Sequence, residues 1–562
     1  MNQKSIMKNV IFPIIILAFA FEVLTLVPIV SASNPYNAKE LVLQISIDNE
    51  IELVKLGNRF TLNYAKAYVK LFPQGDYLEI LSWDTTPASS FINDSYLFYF
   101  NRPFIKKHLR SYGKVKSKLF FPEIKKQIPF PISNAEFPNN IERYLSSTEK
   151  INSNDQKIIE LAKTIVKGKK DLFSAVHALA VFTHKYLRYD PSTAGQPRSA
   201  LWILENKNGA CGDFSSLFLA LTRSLGIPSK YVVGLAYSNY NNLNKFLPHA
   251  WVEVYFPEVG WVPFDTTYGE YGHLDATHIK LKESADVDEP SFSYSWVGFG
   301  YELVSNNITF DSKVLSEKDE IDAVKMSPYI EIPSVGFESD NRIFLKVKNN
   351  LPYYIADDFT LQTPQELQII SEKEQHKILG PNETTFLVWK VHIPSFAKRY
   401  AYKLPLQITN SHNYTVQIEF SANSKELSYD LSEQIFEETG ELKITPPNFE
   451  IDEIKHPKKL IDDEEFNVSF ILRKKIKFPI NLEVELGLKK WNHLIISDER
   501  EIVLGKLNAD LLKLEGNDAL IPIKITAKNI LGETKELTQT LKIPYRKRDI
   551  FEKIMDFISS LF

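Results

Sequence analysis

The chain has 562 residues, of which 44% are apolar and 24% are charged, and both fractions are ordinary for folded domains. This composition excludes a wholly disordered or collagen-like chain, and at roughly 150 residues per domain the length indicates about three to four domains. A net charge of −4 leaves no basic field that would recruit nucleic acid, and a single cysteine excludes both an internal disulfide and a cysteine-rich zinc site.

The N-terminal segment 1–32 has the features of an export signal. Lys4 and Lys8 precede an apolar run over 10–21, and small residues at 31–32 resemble a cleavage site. If it is not cleaved, the segment 10–30 is about long enough to span a bilayer. A buried core helix is the alternative. We therefore predict an exported protein, extracellular or at the cell surface, with 1–32 as a signal peptide or a membrane anchor.

Strand-like patterns follow this segment. Apolar and polar residues partly alternate over 41–54, and further strand-like runs continue to about residue 121. Prolines then cluster between Pro122 and Pro138, as is typical of a linker. We predict an N-terminal β-rich domain within 33–150.

The pattern changes to helix-then-strand over 151–285. Apolar spacing predicts helices at 155–167 and 171–187 and a short helical piece at 200–205. Strand-like segments follow at 230–237, 249–256 and 261–267. Helices followed by strands indicate one α+β unit.

Beyond about residue 330, short strands recur at the intervals typical of sandwiches. They predict two immunoglobulin-like β-sandwiches, at 330–430 and 440–545, with 286–329 as a connecting segment. The tail 546–562 is amphipathic at helical spacing and too short to span a bilayer. It either lies on a membrane surface beside its basic cluster or docks on the protein or a partner.

The only cysteine stands at a predicted helix start. Cys211 follows Gly209 and precedes a strongly amphipathic run that ends at Gly226. In the first turn, the positive end of the helix dipole favours the thiolate form, which Asp213 partly opposes. A buried structural cysteine is the alternative interpretation.

A histidine and an aspartate follow on a predicted hairpin. His249, Trp251, Glu253 and Tyr255 share one face of the first strand, and Asp265 lies on the returning strand. His249 and Asp265 lie on the same face of the hairpin only if the numbers of two directly paired residues add up to an even value. This condition requires a loop with an odd number of residues or a bulge in one strand. A thiol, an imidazole and a carboxylate are the parts of a nucleophilic system, and the backbone N–H of Cys211 is a candidate oxyanion donor.

These blocks together resemble the transglutaminase-like superfamily. The resemblance rests on Gly209-Ala-Cys211, Leu225-Gly-Ile-Pro228, His249-Ala-Trp-Val-Glu253 and Gly260-Trp-Val-Pro-Phe-Asp265, in the family's order. It covers about 155–285 and implies a papain-like α+β core with the triad Cys211, His249 and Asp265. The predicted fold class is therefore this core, flanked by an N-terminal β-rich domain and two C-terminal immunoglobulin-like β-sandwiches.

The resemblance also bears on residues around the triad. Tyr189 resembles the family's tyrosine upstream of the nucleophile, where its hydroxyl would assist the oxyanion. Trp251 and Trp261 are candidates for lining the substrate cleft. Lys230 stands where many members carry arginine, and lysine does not replace a bidentate arginine. His273, Asp275 and His278 could be interpreted as a metal site, but three loop residues are a weak ligand set, so we predict no metal and no cofactor.

The predicted function is a thiol enzyme that acts on amide bonds of proteins or peptides through a thioester. Hydrolysis by water, as in a protease or amidase, is favoured. Cross-linking by a lysine amine, as in a transglutaminase, is the first alternative, and a peptide–glycan amidase is a variant. A non-catalytic surface protein that binds a partner or serves as a scaffold is the remaining alternative. Membrane contact would come through the termini, and no nucleic-acid partner is expected.

Overall fold

The fold is described from a computed structural model. It describes residues 35–562 apart from 134–136, 139, 319–322, 413, 431–446, 453, 463–464, 476–479, 488, 496–498, 509–512, 530–531 and 560–562. The predicted export segment at 1–32 lies outside these residues. Among the residues described, no helix has the length and apolar character needed to cross a membrane.

Six strands open the described chain, and the first of them alternates between buried and more exposed residues. In the first strand Leu41, Leu43, Ile45 and Ile47 are buried at every second position, the period expected where one face of a sheet meets a core. The strands are β1 (Glu40–Lys55), β2 (Thr61–Val69), β3 (Leu78–Thr86), β4 (Ser90–Ile92), β5 (Ser95–Phe100) and β6 (Lys106–Lys118).

The α+β unit follows, with helices first and strands after, as predicted. Asp155 and Asp171 cap the first two helices by accepting hydrogen bonds from the backbone N–H groups of Lys157 and Ser174. The elements are α1 (Gln156–Ile165), α2 (Leu172–Tyr186), β7 (Arg188–Tyr189), α3 (Ala200–Asn206), β8 (Asn208–Gly209), α4 (Cys211–Ser224), β9 (Ser229–Ser238), β10 (Lys245–Phe256), β11 (Gly260–Asp265), β12 (Glu270–Tyr271) and β13 (Ile279–Ser284).

Helix α4 is the central element of this unit. Its apolar residues Leu217, Phe218 and Leu221 are fully buried, and the helix packs against the other three helices and against β9 and β10. The sheet has the order β12-β11-β10-β9-β13. The helices cover one face of this sheet, where Val252, Val254 and Phe256 join their apolar cluster. The first residue of α4 therefore lies beside the strands that carry His249 and Asp265.

The segment 286–329 is not a simple connection, and that prediction is wrong. It contains β14 (Phe292–Phe299) and β15 (Tyr301–Lys318), which pair with β2 and β1 respectively. The N-terminal domain thus consists of two four-stranded sheets, β15-β1-β6-β3 and β14-β2-β5-β4. The α+β unit is inserted between the strands of this domain. Strands β14 and β15, which complete the two sheets, follow the whole of that unit along the chain.

Two further β domains occupy the C-terminal part. The first has sheets β16-β18-β22-β20 and β17-β24-β23-β19-β21, whose buried residues form a common core. Its strands are β16 (Val324–Ile330), β17 (Ser334–Val335), β18 (Ser339–Asn349), β19 (Ile355–Gln362), β20 (Gln368–Ile369), β21 (Glu374–Leu379), β22 (Thr384–Ile393), β23 (Ala401–Asn410) and β24 (Thr415–Asn423).

The second of these domains also has two sheets around one core, β25-β27-β30 and β26-β33-β32-β28-β29. Its strands are β25 (Phe449–Ile451), β26 (Leu460–Ile461), β27 (Glu465–Lys474), β28 (Ile480–Leu486), β29 (Lys489–Ile495), β30 (Glu499–Asn508), β31 (Lys513–Glu515), β32 (Asp518–Lys528) and β33 (Thr534–Arg546). The amphipathic tail forms α5 (Ile550–Ser559).

Candidate active site

Cys211 is the first residue of α4, and its thiol is half-buried. The preceding residue, Ala210, is extended, and its backbone N–H donates to Asp213 Oδ2 at 2.8 Å. A Cβ atom at position 209 would stand 2.3 Å from Asp213 Cβ, so only glycine fits there. The helix start therefore has a rigid turn that presents the thiol at the N-terminal end of α4, beside its first backbone N–H groups.

Asp213 is neutralised by a residue that the sequence did not point to. Arg198 lies 2.5 Å from Asp213 Oδ2 through its terminal nitrogen, and Thr193 donates to the same oxygen at 3.1 Å. Asp213 was expected to oppose the positive field at Cys211. Because Arg198 compensates its charge, the opposition of Asp213 to the positive end of the helix dipole is weakened.

The hairpin of β10 and β11 has the register that the parity argument requires. Val252 pairs with Phe264 and Phe256 with Gly260, so the paired numbers sum to 516, and the loop 257–259 has an odd length. The even sum confirms the prediction for the hairpin. His249 Nε2 accordingly donates to Asp265 Oδ2 at 2.5 Å, and both side chains are buried.

Asp265 is held as a carboxylate. Its Oδ1 accepts hydrogen bonds from the backbone N–H groups of Thr267 at 2.7 Å and Tyr268 at 3.1 Å. Burial would raise the pKa of Asp265, but the charges and hydrogen bonds of His249 and His278 hold it below its usual range. The side chain is therefore a fixed negative charge beneath the histidine.

His249 is poised to be protonated. Burial would lower its pKa, but the charge and hydrogen bond of Asp265, together with a hydrogen bond to Cys211, raise the pKa of His249 to about 9. Because Nε2 faces Asp265, Nδ1 is left for the thiol. The ring of Tyr268 covers the imidazole, with centroids 4.5 Å apart. The arrangement favours a protonated imidazole at His249, beside the Cys211 thiol.

A second histidine supports Asp265 from the other side. His278 Nε2 lies 3.1 Å from Asp265 Oδ2, and His278 Nδ1 lies 2.8 Å from Asp275 Oδ1. Burial would lower the pKa of His278, but Glu270 and Asp275 raise it well above its ordinary value. The sequence drew attention to this segment through the resemblance, but it did not predict that His278 shares an oxygen with His249.

The alternative metal set of His273, Asp275 and His278 does not assemble. Both ring nitrogens of His278 are already hydrogen-bonded to Asp265 and Asp275. The ring of His273 stacks instead near His412, with centroids 4.3 Å apart, and near Phe121. These contacts make His278 part of a hydrogen-bonded network under the catalytic candidates.

A cavity of about 260 Å³ opens above Cys211. Its walls come from the loop 193–197, the start of α4, Tyr231 and Val233 of β9, and His249 with its neighbours. Tyr189 is not part of this wall. It lies on the short strand β7, which pairs with β8 just before Cys211, and it lines a neighbouring cavity of about 380 Å³. Burial and the nearby Cys211 raise the pKa of Tyr189 to about 12, so its hydroxyl is a proton donor at neutral pH.

The two tryptophans do not line the cavity, and that prediction is wrong. Trp251 is fully buried and packs behind the site, with its ring 5.2 Å from that of His278. Gly234 makes room for it, because a Cβ atom there would come within 2.6 Å of the indole. Trp261 is half-buried and carries the ammonium of Lys230 over its ring at 4.3 Å.

Lys230 belongs to a buried ionic network instead of to the cavity. Its ammonium lies 3.0 Å from Glu253 and 2.5 Å from Glu283, and Lys280 contacts the same two carboxylates at 2.9 Å. Two cations and two anions thus balance on the sheet face opposite the helices. Lysine at position 230 therefore keeps its charge partners even though many family members carry arginine there.

Comparisons with known proteins match the part of the chain that contains this site. The family model of the transglutaminase-like superfamily matches residues 159–266. The Bacillus subtilis protein YebA, described as uncharacterized, is 39% identical over 93 residues, which are 15% of this chain and 13% of that protein. A protein-glutamine gamma-glutamyltransferase of Pseudomonas aeruginosa is 30% identical over 95 residues, which are 16% of this chain and 14% of that protein.

Among solved structures, a candidate cysteine protease from Cytophaga hutchinsonii aligns with 51% of this chain and 93% of its own, at 19% identity and a TM-score of 0.37. The chain spans only a small part of the length of the two curated relatives above. The segment 159–266, which the model of the transglutaminase-like superfamily matches, contains Cys211, His249 and Asp265, so this part of the chain is similar to that superfamily at the residues of the candidate site.

Proposed function

We propose that this protein is a cysteine-dependent enzyme that hydrolyses amide bonds of proteins or peptides, with Cys211 as nucleophile. The observation that carries the proposal is the 2.5 Å contact of His249 with Asp265 at the mouth of a cavity that also contains Cys211. A half-buried thiol beside a buried base and a buried orienting carboxylate has the composition of a catalytic triad.

The reaction follows from these positions. The Cys211 thiolate attacks the amide carbonyl carbon, and the backbone N–H groups at the start of α4 face the developing oxyanion. His249 then protonates the leaving nitrogen, the C–N bond breaks, and a thioester remains. A water molecule gives a proton to His249 and attacks the thioester. The C–S bond breaks, the acid leaves, and the thiolate is restored.

Tyr189 supports the oxyanion in this proposal. Its pairing with the strand before Cys211 keeps it close to the nucleophile, and its raised pKa keeps the phenol protonated as a donor. Because Tyr189 does not line the Cys211 cavity, its hydroxyl must turn towards Cys211 to reach the oxyanion.

Hydrolysis is favoured because the cavity at Cys211 opens to solvent and has room for a side chain together with water. Amine transfer is the second candidate, because the matched relative from Pseudomonas aeruginosa is named a glutamyltransferase. The two outcomes share every step up to the thioester and differ only in whether water or a primary amine attacks it.

The test is alkylation of the protein's single thiol. We expect iodoacetamide to modify native Cys211 faster than the same thiol in the unfolded chain, as located by mass spectrometry, with Cys211→Ala as the unreactive control. A peptide library incubated with and without a fluorescent primary amine then separates cleaved products from amine-linked products. A native thiol that reacts no faster than the unfolded one would overturn the enzymatic proposal and leave the scaffold alternative.

We further propose that the protein is exported through its segment 1–32 and acts at the cell surface. In this proposal the two C-terminal β domains are immunoglobulin-like sandwiches that hold the protein or its substrate. Their support is the arrangement of two sheets around one core in each domain. Recovery of the tagged protein in the cytoplasmic fraction of its host, with residues 1–32 intact, would contradict the export proposal.

A further inference from the structure

We propose that one end of the N-terminal β domain binds the surface of an anionic lipid bilayer, through four exposed apolar side chains and the basic residues around them. The four residues are Leu56, Phe60, Ile105 and Phe299, and together they are called the apolar tip. This surface is separate from the candidate active site. The proposal goes beyond the hydrolytic function and does not depend on it.

Three turns of the chain meet at this end of the domain. The segment 56–60 joins β1 to β2, the segment 101–105 joins β5 to β6, and Gly300 joins β14 to β15. Strand β1 is antiparallel to β6 and β15, and β2 is antiparallel to β5 and β14. Because antiparallel neighbours run in opposite directions, all three turns lie at the same end of the two sheets.

Backbone hydrogen bonds hold these turns against one another. The N–H of Leu56 donates to the carbonyl of Gly300 at 2.9 Å, and the N–H of Leu53 donates to the carbonyl of Ile105 at 3.0 Å. The four residues of the apolar tip therefore belong to one continuous surface, although they come from three distant parts of the sequence.

The side chains of the apolar tip are exposed to an unusual degree for their size. Single exposed apolar side chains are common on proteins, but a group of large ones rimmed by polar residues marks an interaction site. The exposed fractions are 65% for Leu56, 39% for Phe60, 76% for Ile105 and 67% for Phe299.

The opposite end of the domain is covered by the α+β unit. There Phe120 pairs through its backbone with Leu274, and the N–H of Phe72 donates to the carbonyl of Leu281 at 3.0 Å. Strand β1 has 16 residues, so it extends about 50 Å between the two ends. The apolar tip thus projects away from the unit that carries Cys211.

Basic residues surround the apolar tip. Only one acidic residue, Glu302, lies within three positions of any of its members along the chain. Lys106 pairs with Glu50 at 2.9 Å, whereas the remaining four basic residues form no ion pair with any residue that the structure describes. The basic residues within the same three positions are Lys55, Arg59, Arg102, Lys106 and Lys107.

The charged and apolar groups lie in direct contact. The ammonium of Lys55 is 4.0 Å from the ring centroid of Phe60, and that ring packs on Tyr301 at 5.3 Å. At a bilayer surface such a lysine remains at the level of the headgroups while the apolar side chain beside it enters the acyl boundary. Attraction of lysine and arginine to anionic lipids adds to the burial of apolar area.

The shape of this surface favours a bilayer over a protein partner. Its apolar side chains project from three separate turns and do not form a groove. A protein partner would need a matching pocket for each projection, whereas a fluid lipid interface accommodates them one by one. An acidic protein surface is the other partner that the charge would attract, and the test separates the two.

The test is co-sedimentation of the full-length protein with vesicles. An Ile554→Asp background removes an exposed apolar residue of α5, so that α5 contributes little to binding. We expect binding to vesicles of phosphatidylcholine and phosphatidylglycerol in equal amounts, and much weaker binding to phosphatidylcholine alone. Raising the salt from about 0.1 M to about 1 M shortens the Debye length from about 10 Å to about 3 Å, and it should release most of the protein.

Variants of the apolar tip then locate the contact. We expect Ile105→Asp to weaken partitioning into anionic vesicles by at least roughly 10-fold, because the side chain no longer gains by leaving water. The matched control is Leu427→Asp in the first C-terminal β domain, where Leu427 is 71% exposed, and it should bind as the parent does. Thermal melting shows whether each variant is folded, and Leu56→Asp decides if Ile105→Asp is not.

Variants of the basic residues test the charge. Arg102→Gln and Lys107→Gln should each weaken binding by about 5-fold at low salt, whereas Lys163→Gln on α1 should have no effect. Equal binding by Ile105→Asp and Leu427→Asp would overturn the proposal. Absence of binding to anionic vesicles would also overturn it, and would leave an acidic protein surface as the partner of the apolar tip.

Discussion

Replacement of Asp265 by asparagine tests the charge relation at the centre of the candidate active site. The variant keeps the size of the side chain but removes a negative charge 2.5 Å from His249 Nε2. Asp265 is the largest of the influences that raise the pKa of His249 to about 9 against the opposite effect of burial. Without it, burial dominates, and the imidazole becomes neutral at pH 7.

The size of the effect follows from the pKa. A fall of the His249 pKa from about 9 to its ordinary value of about 6.5 or below corresponds to about 3 kcal/mol of stabilisation lost by the protonated form of His249. We therefore expect iodoacetamide to alkylate Cys211 roughly 100-fold more slowly at pH 7 in Asp265→Asn. The assay is the second-order rate constant from pH 6 to pH 10, and the variant's rate should rise only at high pH.

The matched control is Asp340→Asn, which removes a carboxylate 2.9 Å from His392 in another domain. It should leave both the rate and the pH profile of Cys211 unchanged. Thermal melting shows whether each variant is folded. A folded Asp265→Asn protein with the wild-type rate and the wild-type profile would refute the reasoning, because His249 would then not depend on Asp265 for its charge.

Three other outcomes are expected. Arg198→Ala leaves the Asp213 carboxylate, which is only 5% exposed, without its cation. The free energy of unfolding, measured in urea, should therefore fall by about 3–5 kcal/mol. A fall of less than about 0.5 kcal/mol would contradict the pairing. The folded pKa of His249, about 9, exceeds its ordinary value of about 6.5, so the stabilisation from its protonation is complete below pH 6.5 and is lost as the pH rises through 9. The free energy of unfolding should therefore fall between pH 6 and pH 10, and the contribution of His249 is the difference between the parent and His249→Gln. A contribution that increases with pH would contradict the assignment. We also propose that α5 binds anionic vesicles through an apolar face on which Phe551 is 75% and Ile554 is 51% exposed. Ile554→Asp should reduce co-sedimentation of the protein with such vesicles. Equal sedimentation of variant and parent would favour docking of α5 on a partner.

Local patterns predicted much of the α+β unit. The helix that begins at Cys211 was predicted from the spacing of its apolar residues and from its terminal glycine, and both signals lie in the helix or directly after it. The shared face of His249 and Asp265 followed from the alternation of side chains along strands and the odd loop. The meeting of Cys211 and His249 at one cavity, with Asp265 behind His249, required the folded chain.

Other features had no local signal. Trp251 has the spacing of a cleft residue on the His249 face, but that face is covered by the N-terminal domain, where Tyr77 and Phe120 enclose the indole. Arg198 precedes α3 and Asp213 follows it, so their contact depends on where that helix is placed. His278 shares an oxygen with His249 only because the loop after β12 folds back under Asp265.

The amino-acid sequence by itself determined the elements and the faces of the α+β unit, because helix caps, strand alternation and turn residues act over a few neighbouring positions. Only the tertiary structure decided that 286–329 completes the N-terminal sheets and that His177 approaches His376. Those pairings join residues that lie far apart along the chain, on either side of whole elements. Their stability comes from the surface buried when those elements meet, and no short stretch of sequence carries that information.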